Sequence, residues 1–203
     1  AGLIGMHGHA SVARLVEHSD LIIAAGARFS DRVAGDRKKF CNHAKIVHID
    51  IDAAEIDKNV RTDAYVRGDV KQVLKLLAMT VGEKRDETML DLNAEYKRKY
   101  ALPPCRGKLS PRAVIACVSE NAGDAIVATD VGQHQLWTAQ GYSFKSPRTF
   151  LTSGGLGTMG FGMGAAIGGA IGSGRRAVLF TGDGSFHMNM NELATAVRLD
   201  LPL

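Results

Sequence analysis

The sequence contains few residues of the kind that build disulfide frameworks or metal clusters. Only three cysteines occur among 203 residues, and Cys41, Cys105 and Cys117 share no CxxC spacing. An odd number of cysteines without such spacing argues against a disulfide framework and a cysteine zinc site, and it favours reduced thiols. We therefore expect a cytoplasmic protein.

The sequence also lacks a block of charge of one sign. Its 25 basic and 21 acidic side chains give a net charge of +4, and both kinds are spread over the two halves of the chain. Nucleic-acid binding needs a clustered basic surface, often interleaved with aromatic residues. This chain has no basic tail and is only 6% aromatic, so we expect no nucleic-acid partner.

One charge-free segment, residues 149–174, is long enough to cross a bilayer. Ten of its residues are glycine, however, and threonine and serine crowd its first part. This composition predicts a short strand, a glycine loop and a buried helix rather than a membrane span. The amino terminus has no signal-peptide pattern and no starting Met, so we expect a piece of a longer or processed chain that is not secreted.

Strand and helix patterns alternate along the chain, which predicts an α/β fold with parallel sheets. Residues 82–109 interrupt the pattern with clustered charges and a Pro-Pro pair, and they predict a linker with one exposed helix. We expect two partial doubly wound parallel-sheet domains, one over residues 1–81 and one over residues 110–203.

In the first predicted domain, apolar runs end at Gly26, Asp50 and Gly68, and we expect the run up to Gly26 to be a buried strand. Arg28 and Arg32 follow that strand, where arginine commonly clamps phosphate or carboxylate. Salt bridges with neighbouring aspartates explain the two arginines equally well. Asp50 lies where a ribose-binding acid belongs, so the sequence predicts a nucleotide site of low specificity.

In the second predicted domain, strands end at Asp130, Gly154 and Gly182, with a helix from Asn189 to Leu199. Parallel strands bring their carboxyl ends to one edge of a sheet, so these turns are expected to form one ligand site. Asp183, between two glycines, then lies where a magnesium ion could bridge it to a diphosphate.

The run from Gly155 to Gly160 matches the dinucleotide pattern GxGxxG, but the next strand ends in Gly-Asp-Gly, which suits phosphate and metal better than ribose. For Gly160, Gly164 and Gly168, spaced by four, we favour tight helix–sheet packing. The loop after Asp130 offers neutral amide and imidazole donors for a diphosphate, or simply caps a turn. No nucleophile has a base beside it at a recognisable spacing, which disfavours a hydrolase.

Five segments in order resemble the acetolactate synthase (acetohydroxyacid synthase) catalytic-subunit family: residues 3–8, 26–32, 130–135, 152–162 and 182–186. The resemblance spans essentially the whole chain. It implies a thiamine-diphosphate enzyme of branched-chain amino-acid biosynthesis, which condenses two 2-oxo acids (pyruvate with pyruvate or 2-oxobutyrate) with loss of CO2. It also implies that the first domain is part of a central FAD-binding domain and the second part of a thiamine-diphosphate domain.

The resemblance implies a role for single residues as well. Asp183 is the implied Mg2+ ligand, and no catalytic residue is implied within these 203 residues. The implied contacts to thiamine diphosphate are Val131, Gly132, Gln133, His134, Gly157, Met159, Gly184 and Ser185. The implied contacts to FAD are His7, Arg28, Phe29, Arg32, Asp50, Ile51, Asp69 and Val70.

Two parts of the family pattern have no counterpart here: the glutamate that activates the cofactor and the asparagine that follows the magnesium aspartate. We therefore expect this chain to be inactive alone. The full-length parent is expected to be a homo-oligomer, a dimer or tetramer, in some cases with a small regulatory subunit. Two alternatives stay open, a non-catalytic FAD- or nucleotide-binding scaffold and another thiamine-diphosphate carboligase or decarboxylase.

Overall fold

The fold is that of a computed structural model, which describes residues 1–82, 87–101 and 109–203. This part of the chain forms two compact units, one within residues 1–102 and the other within residues 103–203. Each unit contains a three-stranded parallel sheet with helices, so the predicted α/β class with two parallel sheets is confirmed. The predicted linker falls partly outside the described residues, as does Cys105, and its bounds stay a prediction.

In the sheet of the first unit, β2 lies between β1 and β3 and all three strands are parallel. The backbone N–H of Gly26 donates to Ile49, and that of Gly68 donates to Asp50, which aligns the carboxyl ends of the strands. The elements are α1 (Ala10–Glu17), β1 (Leu21–Ala25), α2 (Asp31–Ala34), β2 (Lys45–Asp50), β3 (Ala64–Arg67), α3 (Val70–Val81) and α4 (Thr88–Lys99), with a 3-10 turn at Ala53–Glu55.

Side-chain caps fix where the helices of this unit begin. His9 Nδ1 accepts from the backbone N–H of Ser11 at 3.2 Å and starts α1. Asp69 Oδ1 accepts from the N–H of Gln72 at 3.1 Å and starts α3. Such caps satisfy N–H groups that have no partner inside the helix. Asp52 caps the 3-10 turn in the same way.

The core of the first unit lies on one face of the sheet, but its edge strand is exposed. The buried residues of this core are Ala24, Phe29, Ala34, Ile46 and Val60. The prediction that β1 is a buried strand is wrong, because Leu21 and Ile23 each remain 48% exposed. The reason is that β1 lies at the sheet edge and little of the described chain covers the face that carries these two side chains.

The exposed helix predicted within the linker corresponds to α4, which is exposed along most of its length. Its one buried side chain is Tyr96, whose hydroxyl lies 3.2 Å from His18 Nδ1 at the end of α1. The two rings meet edge to face. Helix α4 therefore packs on α1 through an aromatic contact that the charge pattern of this segment did not indicate.

In the sheet of the second unit, β4 lies between β5 and β6, again with all strands parallel. Its first helix begins at a Ser-Pro pair, with Ser110 Oγ accepting from the N–H of Ala113. The elements are α5 (Pro111–Asn121), β4 (Ile126–Thr129), α6 (Gln133–Gly141), β5 (Phe150–Thr152), α7 (Phe161–Ser173), β6 (Ala177–Phe180), α8 (Asp183–Asn189) and α9 (Leu193–Arg198), with a 3-10 turn at Met190–Glu192.

The helical segment after β6 starts earlier than the sequence predicts. Helix α8 begins at Asp183, directly after Gly182, rather than at Asn189. Asn189 instead ends it, because its side-chain Nδ2 donates to the backbone carbonyl of Gly160 at 2.5 Å. Helix α8 has only seven residues and is too short to show the periodicity of a helix, so the sequence pattern indicated only the later helix.

Helix α7 packs on the sheet through glycines, but not through those we expected. A Cβ at Gly164 or Gly168 would meet nothing within 4 Å, so the packing role predicted for these two is wrong. A Cβ at Gly169 would lie 2.7 Å from Ile126 Cγ2, and one at Gly162 would lie 2.7 Å from Leu179 Cδ1. Positions 162, 166 and 169 follow the i, i+4, i+7 spacing of one helix face, and that face touches the sheet.

None of the helices in the described ranges combines the length and the apolar character that crossing a bilayer requires. Helix α7, which lies in the charge-free segment, buries Met163, Ala166, Ile167 and Ala170 within the second unit. The glycine-rich segment is thus a strand, a loop and a buried helix, as predicted. The two cysteines that the structure describes, Cys41 and Cys117, are free thiols.

The glycine packing predicts opposite effects for two alanine substitutions in α7. Gly169→Ala should lower the free energy of unfolding by about 1–3 kcal/mol, because the new methyl group overpacks the contact with Ile126. Gly164→Ala points into open space and should raise it by up to about 1 kcal/mol through helix propensity. Urea unfolding followed by fluorescence of Trp137, the single tryptophan, measures both. Equal effects of the two changes would contradict this packing.

Candidate functional site

In the second unit, one buried carboxyl group joins the end of β4 to the start of α7 and to the segment after β6. Asp130 follows β4 and is 1% exposed. Its Oδ1 accepts from the backbone N–H of Gly162, at the start of α7, at 3.0 Å. Its Oδ2 accepts from the hydroxyl of Thr181, just after β6, at 2.9 Å. Two of the turns that the sequence predicted to converge, those after β4 and β6, therefore lie together.

The loop after Asp130 brings His134 over two glycines. Gly132 has φ +147°, a backbone conformation that favours glycine, and a Cβ there would lie 3.0 Å from the His134 ring. The same ring lies 3.4 Å from the position that a Cβ of Gly182 would occupy. Val131, Gly132, Gln133 and His134 thus border the Gly-Asp-Gly turn, with Gly132 and Gln133 exposed.

Burial lowers the pKa of His134 below its ordinary value, and the charge and backbone of Asp130 offset part of that effect. The imidazole is therefore neutral at physiological pH. A neutral imidazole donates one hydrogen bond and can accept another, whereas a protonated one only donates.

The glycine loop after β5 reaches the same turn from the other side. Gly157 has φ +66° and faces Val131. Met159 places its terminal methyl 3.3 Å from the position that a Cβ of Gly184 would occupy, and it remains 43% exposed. Any side chain at Gly184 would press on this methyl group. The loop and the Gly-Asp-Gly turn therefore form one surface of bare backbone beside an apolar side chain.

Two buried polar atoms at this surface have no hydrogen-bond partner within the described residues. They are Ser185 Oγ, in a side chain that is 2% exposed, and His134 Nε2. Buried polar atoms almost always have a partner, so each unpaired one calls for an explanation. A ligand with hydrogen-bonding oxygens is the simplest, because both residues border the same turn.

Asp183 is exposed in the first turn of α8, two residues before Ser185. Within the described residues, no group of three or more histidine, cysteine or acidic side chains could hold a metal ion. Asp183 alone fits Mg2+ only if oxygens from another source complete the coordination. Mg2+ is commonly bound in this way, by one or two carboxylates together with phosphate oxygens and water. The donors present fit a metal-bridged diphosphate.

In the first unit, the amino-terminal loop packs against the arginine turn. The N–H of Met6 donates to the carbonyl of Arg32 at 2.8 Å. Gly5 has φ +99°, and a Cβ there would lie 2.4 Å from that same carbonyl, so only glycine fits. This contact places the loop that carries His7 next to the turn that carries Arg32, although the two are distant in sequence.

The two arginines of this turn are exposed, and among the described residues neither is within 4.0 Å of a carboxylate oxygen. The alternative that salt bridges with neighbouring aspartates explain them is therefore not supported by the structure. Phe29, between them, has φ +46° and is buried, with its ring against Phe40 and His48. A ligand here meets the backbone of Phe29 rather than its ring.

The other residues implied for FAD lie at the ends of β2 and β3. Asp50 is buried, and its Oδ1 accepts from the N–H of Asp52 at 2.8 Å. Ile51 is 67% exposed. Asp69 uses Oδ1 to cap α3, and Val70 lies 3.8 Å from the Cβ position of Gly26 after β1. These residues share one sheet edge, although the carboxyl groups of Asp50 and Asp69 already have backbone partners.

Sequence reasoning missed the residues that hold the second-unit loops in place. Thr181 and Asn189 fix the Gly-Asp-Gly turn and the start of α7 through single hydrogen bonds. Gln135 Nε2 donates to Thr152 Oγ1 at 2.7 Å, which links α6 to the end of β5. Thr152 was part of the quoted pattern, but nothing near Asn189 in the sequence indicates its distant partner.

Two family models match the chain, and both describe the same kind of protein. Residues 1–77 match the central domain of thiamine pyrophosphate enzymes, and residues 130–203 match their C-terminal, thiamine pyrophosphate-binding domain. Together these matches cover most of the chain and both strand-end sites. The chain belongs to the thiamine pyrophosphate enzyme family.

Within this family the chain is similar to large subunits of acetolactate synthase. It is 46% identical to the isozyme 1 large subunit of Escherichia coli, over 96% of this chain and 35% of that protein. It is 44% identical to a probable large subunit of Methanocaldococcus jannaschii, over 100% and 36%, and 44% identical to the chloroplastic enzyme of Arabidopsis thaliana, over 99% and 32%. The chain thus spans about a third of the length of these relatives.

The burial of His134 predicts a loss of stability in acid. Because its pKa is lower in the folded than in the unfolded chain, the unfolded state binds more protons as the pH falls below about 6.5. Unfolding free energy measured through Trp137 should therefore drop from about pH 7.5 to about pH 5.5, and less so in His134→Gln. His187→Gln, at an exposed ring in α8, is the control. An NMR titration midpoint for His134 at or above about 6.5 would contradict the assignment.

Proposed function

We propose that this chain forms the cofactor-binding part of an acetolactate synthase catalytic subunit. In this proposal the second unit binds thiamine diphosphate with Mg2+, the first unit binds FAD, and the substrates are 2-oxo acids. The similarity to acetolactate synthase large subunits over nearly the whole chain supports the choice among thiamine pyrophosphate enzymes.

The observation that carries the proposal is the pair of unpaired buried atoms beside an exposed aspartate. Ser185 Oγ and His134 Nε2 need hydrogen-bond partners, and the exposed carboxylate of Asp183 is available to bind a cation. A diphosphate bridged by Mg2+ engages all three groups at once. The bare backbone of Gly182 and Gly184 allows such a group to come close, as phosphate-binding turns require.

Each residue of the site then has a physical task. Asp183 binds Mg2+, and Ser185 and His134 hydrogen-bond the diphosphate oxygens, together with the backbone N–H groups of Gly132 and Gln133. Helix α6 begins without a side-chain cap, so its first N–H groups are not satisfied by a capping side chain. Met159 and Gly157 border the remainder of the cofactor. Thiamine diphosphate, when bound, supplies the electron sink that lets a 2-oxo acid lose CO2.

The first unit is proposed to hold FAD at the carboxyl ends of its strands. Arg28 and Arg32 offer exposed guanidinium groups without a carboxylate partner, which suits the pyrophosphate of a dinucleotide. His7 lies on the loop that packs on this turn. The backbone of Phe29 and Ile51, and the segment that starts α3 at Asp69 and Val70, complete the proposed contact surface.

The proposal extends to the assembly and the location of the parent protein. We propose that the full-length parent is a homo-oligomer, a dimer or tetramer, in some cases with a small regulatory subunit. The bacterial and archaeal relatives are named as large subunits, which supports the smaller subunit. The free thiols support a cytoplasmic protein. Plant relatives are named as chloroplastic.

Removal of the proposed metal ligand should weaken magnesium-dependent cofactor binding. Asp183→Asn keeps the shape of the side chain but removes its charge, so calorimetry should show thiamine diphosphate affinity in Mg2+ reduced about tenfold or more. Without Mg2+, the variant and the parent chain should bind equally weakly. Glu120→Gln removes one exposed charge from α5 of the same unit and serves as the control. Unchanged affinity in Asp183→Asn would refute the assignment.

Loss of the first arginine should release the flavin. Arg28→Gln is expected to purify with about tenfold less FAD, because one charge-assisted contact to phosphate is worth about 1.5–3 kcal/mol. Flavin fluorescence after heat release measures the content. Arg14→Gln, at an exposed arginine paired with Glu17 in α1, is the control.

The scaffold alternative predicts a different combination of results. A chain that retains flavin but binds no thiamine diphosphate in the presence of Mg2+ would be a flavin-carrying scaffold. Equal flavin content in Arg28→Gln and Arg14→Gln would refute the proposed contact between Arg28 and FAD.

A further inference from the structure

We propose that the first unit carries a second ligand site, for a small organic anion with an apolar part, at the edge of the sheet opposite to the proposed FAD site. A cavity of about 660 Å³ opens there. It is bounded by the segment before β2 and by the segment before β3, at the amino-terminal ends of both strands. We refer to it as the amino-end cavity.

Three cationic side chains line the amino-end cavity: Arg37, Lys38 and Arg61. Within the described residues, none of them lies within 4.0 Å of a carboxylate oxygen. Asp63 also lines the cavity, but its Oδ2 accepts from the backbone N–H of Ile46 at 2.8 Å. The cavity therefore carries an excess of positive charge, which favours an anion.

The other acidic groups of this region are also held by neighbours. Asp36 pairs with Lys39 at 3.6 Å, and its Oδ1 accepts from the N–H of Lys38. Asp57 accepts from both the N–H and the hydroxyl of Thr62. Hydrogen bonding does not remove the charge of these carboxylates, and Asp57 acts electrostatically on Arg61. Among the described side chains that line the cavity, however, three cations face the one carboxylate of Asp63, so the lining keeps an excess of positive charge.

The floor of the amino-end cavity is apolar. Ile46 and Val60 are 4% and 6% exposed and belong to the core of the unit, and Phe40 packs against that core. A purely hydrophilic ion leaves this floor in contact with water, and an uncharged apolar molecule leaves the cations unmatched. The ligand class that satisfies both is a carboxylate or a phosphate monoester of a short aliphatic or aromatic group.

This site is independent of the proposed FAD and thiamine-diphosphate sites. The residues implied for FAD follow the carboxyl ends of the strands, whereas the amino-end cavity precedes β2 and β3. None of its lining residues is among those to which we assign a cofactor contact. A substitution in the cavity should therefore leave flavin content unchanged, and failure of the cofactor proposal would not affect this one.

Cys41 provides a reporter within the cavity, and Cys117 provides a reference in the same chain. Cys41 lines the cavity and is 8% exposed, whereas Cys117 is exposed in α5 of the other unit. Burial raises the pKa of the Cys41 thiol, so its alkylation is slow and any added occupant slows it further. Peptide mass spectrometry after timed iodoacetamide treatment gives both rates from one sample.

Hexyl phosphate is the probe. Two control compounds each carry one part of it: inorganic phosphate has only the charge, and hexanol has only the apolar chain. At a concentration of about twice its Kd, hexyl phosphate should slow the alkylation of Cys41 about threefold, because only the unoccupied fraction reacts. The rate at Cys117 should not change. Hexanoate replaces the phosphate group by a carboxylate and tells which anionic group the site prefers.

Two variants with the same change of charge decide the outcome. Arg61→Gln should weaken protection by hexyl phosphate about two- to fivefold, the range of an exposed charge contact. Lys75→Gln, at an exposed cation of α3 outside the cavity, should be protected as the parent chain is. The proposal is overturned if hexyl phosphate leaves the Cys41 rate unchanged, if hexanol protects equally, or if both variants lose protection alike.

Discussion

The geometry of the second unit depends on the carboxyl group of Asp130. This group is almost fully buried, where a carboxylate is costly unless it is well hydrogen-bonded. Its two oxygens accept from Gly162 at the start of α7 and from Thr181 after β6. One side chain on the central strand therefore sets the distance between the glycine loop and the Gly-Asp-Gly turn. The residues that we assign to the cofactor lie on loops held in this way.

The two units hold the loops at their strand ends in place by different kinds of contact. In the second unit, side chains hold the loops, and bare glycines form the surface between them. In the first unit, backbone contacts hold the loops, as where Met6 donates to Arg32 and Gly5 lies against that carbonyl. The first unit leaves its two arginines exposed at the sheet edge without a carboxylate partner among the described residues. The second unit instead leaves buried hydrogen-bonding atoms without a partner among the described residues. The two edges therefore suit ligands that differ in how they are bound.

Much of this architecture follows from local sequence. The strand ends at Gly26, Asp130 and Gly182 are predictable because an apolar run stops there, and within each sheet parallel pairing then brings the strand ends to one edge. Helix starts at Asp69 and Ser110 follow from capping chemistry. These features depend on a few adjacent residues, which is why a single sequence shows them.

Other features depend on distant contacts and do not follow from the sequence. Spacing alone did not reveal which glycines of α7 face the sheet, because periodicity gives a face but not its direction: Gly162 and Gly169 touch it, while Gly164 does not. The end of α8 depends on Asn189 reaching Gly160, a contact across the fold. The exposure of Leu21 depends on strand order, and β1 is an edge strand only because β2 pairs on one side of it.

The contact between Asp130 and Gly162 also constrains how such a chain can diverge. A methyl group at position 162 would lie 2.7 Å from Asp130 Oδ2, inside the space that the carboxyl group occupies. A smaller residue at 130 would make room for it, but would leave Thr181 and the N–H of Gly162 without their acceptor. Each single step is therefore damaging, and the positions can drift only by simultaneous replacement. Natural variants are therefore expected to keep both the aspartate at position 130 and the glycine at position 162.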